Sequence, residues 1–486
     1  MEFSYTAKFP RAFQKSARTS LPSSVRSTLL VAALFLCGAA LAQAQTVTTI
    51  YNFANNGISG ANPWYVTLVQ GTNGNLYGTT YNGGVNFSGT IFNVTTSGQE
   101  KVVYTFKGGT TDGAYPTGGL TLGTDGNFYG TTQQGGTNSM GTIFKVTPTG
   151  TLTILHNFNA FVDGAFPWGP PILASDGNFY GTTSGGGING HGVVYKMTNS
   201  GTVTKTYQFD VTHGFSPIAQ PTQGTDGYLY IPVSEGGTSF CGTILKINTS
   251  GVINNTYDFP CGSGGSFPIG PLVQASNGNF YSTTQDGGTN GEGTIYQVTP
   301  SLVVTVLHSF GATFGDGTFP AAGLLLATDG NYYSATSDGG ANGDGTLFNT
   351  SVNGTYSSLY SFNNTTNLTQ TSPLAPPVQA TNGILYGVTE FGGPSNDGTV
   401  YSLNMGLAPF VNMALFTAKE GNTVTILGTH LKGTTEVTFN GHAANFKVLS
   451  DTHLTATVPV GATTGPIQVT TPGAVLQSRK TFVVKH

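Results

Sequence analysis

The chain repeats itself, and this limits its fold more than any other feature. Set against itself at a spacing of about 51 residues, the sequence gives seven copies of one pattern, the mark of an architecture that stacks one supersecondary unit. A tyrosine in an Asn-Leu-Tyr-Gly-Thr-Thr setting recurs as Tyr77, Tyr129, Tyr180, Tyr230, Tyr281, Tyr333 and Tyr386. Pro63, Pro116, Pro167, Pro217, Pro268, Pro320 and Pro373 open the copies. A Gly-Gly pair follows each tyrosine, from Gly83-Gly84 through Gly392-Gly393, and then a Gly-Thr-Ile-Phe-like run such as Gly141 to Phe144.

Each copy reads as four short strands, because its β-branched and aromatic runs are punctuated by turn residues. In the second copy the strands are expected at Gly118 to Leu122, Phe128 to Thr132, Gly141 to Thr147 and Thr151 to Phe158. Asp125-Gly126-Asn127 and Pro148-Thr149-Gly150 supply the tight turns between them. The fourth strand ends in Phe106, Phe158, Phe209, Phe259, Phe310 and Phe362, and the last copy lacks its own. The missing strand stands at the other end, as Thr46 to Phe53. A strand lent from the N-terminus to the last sheet closes a ring and removes exposed edges, which an open solenoid has no use for. The expectation is an all-β, seven-bladed β-propeller over residues 45–405, closed by that strand. The fourth copy reads Tyr230-Ile231-Pro232-Val233 where others have Tyr-Gly-Thr-Thr, which predicts a disturbed second strand there.

Charged residues make up 8% of the chain, against about 25% in an average soluble protein, which argues against a coiled coil and charge-driven disorder. Lys8, Arg11, Lys15, Arg18 and Arg26 precede an apolar run from Leu29 to Ala42 and then Ala42-Gln43-Ala44. That order is expected to be an export signal over residues 1–44, too short for a permanent span, which takes about 18 apolar residues. Cys37 follows Leu36 rather than a small residue, so a lipid-anchored reading is rejected. Without the signal, 12 basic and 20 acidic residues leave the chain at −8, which argues against nucleic acid. No later segment is apolar enough to cross a membrane. A secreted or cell-surface protein, expected to be a monomer, follows.

Past Asn404 to Gly406 the pattern changes. Residues 407–486 hold Gly421-Asn-Thr-Val-Thr-Ile-Leu-Gly428, Thr435 to Gly441, Leu454 to Pro459 and a last strand at Thr481 to Lys485, with no cysteine. Alternating strands of this kind are expected to form an immunoglobulin-like sandwich. The segments Gly421 to Gly428 and Val437 to Ala443 resemble the hallmarks of IPT/TIG domains. The repeats, with Gly-Asn-Leu-Tyr-Gly-Thr-Thr, Gly-Gly and Gly-Thr-x-Phe, resemble the GloVer tandem repeats of exported bacterial proteins. The two resemblances imply an extracellular bacterial protein and bring no catalytic motif with them.

Side chains with chemistry stand at the variable positions of the repeats. His156 and His308 stand where other copies carry Tyr51, Tyr104, Tyr207, Tyr257 and Tyr360, so they read as replacements for a packed aromatic. Cys241 and Cys261 flank one hairpin that folds about Ser250 and Gly251. In an exported chain they are expected to form a disulfide. Asp112, Asp163 and Asp316 precede opening prolines, and Glu235, Asp286 and Asp338 precede Gly-Gly pairs, all in loops of one propeller face. They offer oxygen ligands to calcium or a cationic ligand, although turn chemistry accounts for Asp-Gly loops and is preferred. No cofactor is called for.

Trp64 and Trp168 share one repeat position, which elsewhere holds Ile218, Ile269 and Leu374. Packing of the inner strand is the favoured account of both. An aromatic platform for sugar rings is the other. No nucleophile elbow, metal-binding helix or phosphate loop is present. The expected function is therefore non-enzymatic, with propeller loops presenting a site for a glycan, wall polymer or protein partner. The alternative is an extracellular glycosidase or lyase that uses face carboxylates.

Overall fold

In a computed structural model, residues 46–363 and 371–485 are described. The expected export signal lies outside them. Residues 46–486 form one compact unit.

The repeats fold as seven antiparallel sheets, each with a short inner strand, a second, a third and an outer strand. In the second copy these are Thr121–Leu122, Phe128–Gly135, Thr142–Val146 and Leu152–Asn157. The inner strand is shorter than its residues predict because Gly118 and Gly119 adopt φ of 77° and 87°, outside the extended region. Second strands are buried along five consecutive residues in all seven sheets, as at Leu76–Thr80 and Phe179–Thr183. A strand buried on both faces must have a neighbouring sheet on each side.

The repeated tyrosine makes that packing. Its ring lies on the next sheet, with centroids 4.2 Å apart for Tyr77 and Phe128, Tyr129 and Phe179, and Tyr230 and Phe280. Its hydroxyl bonds the Asp or Asn four residues earlier in the hairpin turn, as in Tyr129 to Asp125 at 3.0 Å and Asn73 to Tyr77 at 2.9 Å. One turn residue therefore serves both the hairpin and the buried hydroxyl.

The glycine that opens each third strand is required. Gly89, Gly141, Gly192, Gly242, Gly293, Gly345 and Gly398 have φ between 91° and 98°. A Cβ on any of them would lie 2.5–3.0 Å from Cδ of the proline that opens the next copy. The residue just before each proline, from Asn62 to Ser372, has φ between 45° and 58°. The preceding loop holds it there, with Tyr115 N–H donating to Ser88, Phe166 to Met140, Phe267 to Cys241 and Phe319 to Glu292.

The last and first copies meet through the same contacts. Asn62 N–H donates to the Asp397 carbonyl at 2.7 Å. Thr381 N–H donates to Gln70 Oε1 at 2.9 Å, as Thr328 does to Gln379 and Thr225 to Gln274. Tyr386 packs in one cluster with Leu76. The strand Val47–Asn52 pairs antiparallel with Thr399–Leu403 in the sheet of the last copy.

The expected disturbance in the fourth copy is not found. Leu229–Val233 is a regular strand paired residue by residue with Thr243–Ile247. Its inner neighbour pairs only with Leu229 and Tyr230, so no ladder bond on that edge asks an N–H of Pro232.

Past residue 406 the chain forms three small sheets, of two, three and four strands, around a core that includes Val411, Ile426, Phe439, Leu454, Ile467 and Phe482. They meet the repeats at the hairpins joining inner and second strands. Thr452 donates to the Thr72 carbonyl at 2.8 Å, Thr381 to the Gly428 carbonyl at 2.9 Å, and Leu427 packs with Tyr77, Leu122 and Phe128. These hairpins are at one end of the second strands. The loops around the prolines are at the other end and stay clear of these contacts.

Candidate functional site

Two residues past each opening proline the sequence reads Tyr65, Gly118, Gly169, Ala219, Gly270, Ala322 and Ala375. These positions, with their neighbours, line one cavity of about 60 Å³ to which all seven copies contribute. Six small residues leave a bore, and Tyr65 is the large exception. It adopts φ of 54°, a left-handed conformation that costs a bulky residue roughly 1–3 kcal/mol.

Around Tyr65 the first three copies bring aromatic rings together. The centroids of Trp64 and Trp168 are 5.0 Å apart, Trp64 lies edge-on to Tyr81 at 4.9 Å, and Tyr65 is 5.9 Å from Trp168. Tyr81 stacks on Tyr115 at 5.0 Å and donates to Gln133 Oε1 at 3.3 Å. Both tryptophans are only part-buried. Trp168 and Tyr65 line the cavity, and Trp64 packs against both.

The last copy adds a carboxylate. Glu390 occupies the column Tyr81, Gln133, Ser184, Ser234, Gln285, Ser337, Glu390, four residues after each repeated tyrosine. Its main-chain carbonyl accepts from Asn62 Nδ2 at 3.3 Å, and Asn62 Oδ1 accepts from Asn82 Nδ2 at 3.2 Å. Burial pushes its carboxyl up to about 7. Tyr65 is raised to about 12 by burial and then by the charge of Glu390. Sequence reasoning passed over Tyr65, Tyr81 and Glu390. Aligning the copies column by column would have exposed the single charge at an otherwise neutral position.

The loop acids separate into two groups. Asp112 accepts from Tyr104 Oη at 2.9 Å and from the N–H groups of Lys107 and Gly113. Asp163 meets His156 Nε2 at 2.8 Å and the Asn159 N–H at 2.7 Å. Asp316 lies 3.4 Å from His308 Nε2 and accepts from the Ala312 N–H. All three are turned into their own loops, where they hold the outer-strand aromatic or its histidine replacement. His156 packs edge-on against Phe158 at 5.0 Å, as Tyr104 does against Phe106.

Glu235, Asp286 and Asp338 are part-buried. Ser337 donates to Asp338 at 2.7 Å, and burial raises the Asp286 carboxyl. Among the described residues no three His, Cys, Asp or Glu side chains come together to hold a metal ion. Cys241 and Cys261 form a disulfide with Cα atoms 5.4 Å apart. The loop tips of this face also expose large apolar side chains, including Phe87, Phe161, Phe240 and Phe314.

No curated protein matches the sequence. Among solved structures, a streptogramin B lyase superposes with a TM-score of 0.52 at 15% identity, over 74% of this chain and 97% of that one. The virginiamycin B lyase of Staphylococcus aureus gives 0.52 at 14% identity, over 74% and 99%. The extracellular domain of BT4673 from B. thetaiotaomicron, described as a hybrid two component system, gives 0.50 at 12% identity, over 89% and 51%. At such identities the likeness is one of fold, and a propeller-like fold is what it shows. The IPT/TIG model matches residues 411–484, and the Gloeobacter/Verrucomicrobia repeat model matches residues 40–230 and 218–447. The chain therefore belongs to the Gloeobacter/Verrucomicrobia repeat family and carries a C-terminal IPT/TIG domain.

Proposed function

We propose that the chain is an exported, non-enzymatic binding protein of the cell surface or medium. In this reading it is a seven-bladed propeller, closed by Val47–Asn52, that presents its loop face to a glycan or wall polymer. The sandwich, docked at the opposite strand ends, is the spacer. The carrying observation is that both tryptophans of the chain converge with Tyr65 and Tyr81 at the mouth of the shared cavity. Part-exposed rings offer a large apolar face with little rotamer entropy to lose, and the amides of Asn62, Asn82 and Gln133 beside them suit hydroxyl groups. The lysine- and arginine-poor loops disfavour polyanions, and the disulfide supports an oxidising compartment.

A second reading has one observation in its favour. A carboxyl raised to about 7 on the same loop face has the proton affinity of a general acid or base, as a glycosidase or lyase would use. One experiment separates the two. The purified protein is passed over arrayed bacterial and plant polysaccharides, and both retention and release of new sugar ends are measured. Retention without release is expected. Release that Glu390→Gln abolishes overturns the non-enzymatic reading, and failure of every polysaccharide to be retained overturns the glycan reading.

A further inference from the structure

Exposed apolar side chains gather on the loop face. Of the seventeen large ones exposed among the described residues, ten lie in its loops, three in hairpins at the other end of the strands and four in the sandwich. Phe161 is 87% exposed and Phe240 61%, with Ile188 and Val211 exposed between them. Such a concentration marks a surface that another molecule covers.

These four residues belong to consecutive loops that are bonded together. Gly187 N–H donates to the Ala160 carbonyl at 2.7 Å, Asn189 Nδ2 to the Phe209 carbonyl at 3.0 Å, and Gly237 N–H to the Val211 carbonyl at 3.0 Å. The tips are pinned as well. Asn159 Oδ1 accepts from the Phe161 N–H at 3.1 Å, Gln208 Oε1 accepts from the Ile188 N–H at 2.8 Å, and Phe240 adjoins the Cys241–Cys261 disulfide. Exposed side chains on fixed stems have little ordering entropy left to lose on docking.

Charge selects the kind of partner. The loops between second and third strands carry no Asp, Glu, Lys or Arg in the first three copies and seven carboxylates in the last four, beginning with Glu235 in the loop of Phe240. Asp286 and Glu292 stand in the next of these loops, and Lys107 is the one lysine or arginine in the loops of this face. The apolar belt therefore runs into an acidic sector, whose field repels anionic lipid and attracts cationic groups. Aliphatic tips such as Ile188 and Val211 offer a sugar ring no stacking face. An apolar centre beside charge that a partner can complement is the makeup of a protein–protein interface.

We infer that this belt is a docking surface for a basic protein partner. The partner's apolar side chains seat on Phe161, Ile188, Val211 and Phe240, and its lysine or arginine groups meet Glu235, Asp286 and Glu292. The surface is separate from the tryptophan cluster and does not depend on a glycan binding there.

The probe is a labelled amphipathic helix of lysine and leucine, titrated with the full protein and read by fluorescence anisotropy. Saturable binding is expected, weakening about tenfold between about 50 mM and about 500 mM salt as the charges are screened. The same helix with glutamate in place of lysine should not bind. Phe161→Ser combined with Phe240→Ser should weaken binding about tenfold. Glu235→Gln, Asp286→Asn and Glu292→Gln together should weaken it about tenfold and flatten the salt dependence. Val252→Ser with Val303→Ser removes side chains 62% and 60% exposed at the other end of the strands, and should leave binding unchanged. Absence of saturable binding, equal binding of the glutamate helix, or equal loss in the Val252 and Val303 variant overturns the inference. So does undiminished binding by the phenylalanine or the carboxylate variant at native thermal stability. Uptake by phosphatidylcholine vesicles with none of the lysine helix assigns the face to lipid. A mass that rises with concentration in light scattering, and does not in the phenylalanine variant, assigns it to a second copy. Either result overturns the basic partner.

Discussion

A Cβ placed on Gly398 would lie 2.7 Å from Cδ of Pro63 and 2.5 Å from the Thr389 carbonyl oxygen. These residues are more than three hundred positions apart in sequence, yet they repeat the contact that Gly89 makes with Pro116. Gly398→Ala would add that clash to a φ of 98°, where an L side chain is strained. A loss of about 2–4 kcal/mol is expected, measured as the shift in urea midpoint. Gly473→Ala, with open space around it, should change stability by less than about 0.5 kcal/mol.

Deleting residues 46–53 uncovers the edge of Thr399–Leu403, which Val47–Asn52 now pairs. An exposed hydrophobic edge recruits other strands. The truncated protein is expected to melt at lower temperature and to self-associate, seen as a concentration-dependent rise in mass by light scattering. Unchanged melting and a monomeric mass would remove closure by the N-terminal strand.

The Glu390 carboxyl titrates near 7 in the folded protein, above an unfolded value of about 4.3. The folded state therefore holds this proton more tightly, and the group's contribution to stability declines as pH rises from about 4 to about 7. Glu390→Gln removes that decline. Its melting temperature should exceed that of the parent at pH 8 and match it at pH 4, by calorimetry at both values.

The Cys241–Cys261 bond closes a loop across a sequence separation of 20, worth about 3 kcal/mol by loop-closure entropy. Replacing both cysteines with serine should lower stability by that order. The Cys241 carbonyl also holds the Phe267 N–H at 3.0 Å. Hydrogen exchange at Phe267 should therefore accelerate more than at Phe319, whose N–H is held by the Glu292 carbonyl without a disulfide.

The fold was legible because its rules are carried by side-chain identity. Tyr77 and its counterparts, the turn Asp or Asn, and the glycines before the third strands each do one physical job in every copy. The left-handed residues before the prolines were hidden, since Asn62, Tyr115, Phe166, Ser216, Phe267, Phe319 and Ser372 have no chemistry in common. In six of them, from Asn62 to Phe319, a hydrogen bond to the preceding copy fixes the N–H, and no local preference announces it. The loop acids follow the turn chemistry preferred for them, with partners the sequence did not name. Asp112, Asp163 and Asp316 look solvent-directed in sequence, while short bonds to main-chain N–H groups and to Tyr104, His156 or His308 draw them inward. Glu390 escaped notice because a single glutamate before Phe391 belongs to no motif.

Because main-chain bonds fasten six of those seven left-handed residues, their side chains, Asn62 with its amide bonds to Glu390 and Asn82 excepted, are under little obligation to the scaffold. Asparagine, tyrosine, phenylalanine and serine already serve at these places. The loop face thus keeps a set of fixed sockets that evolution, or an engineer, is free to refit one at a time. New specificities would then come from exchanging fittings, with the sheets that carry them left intact.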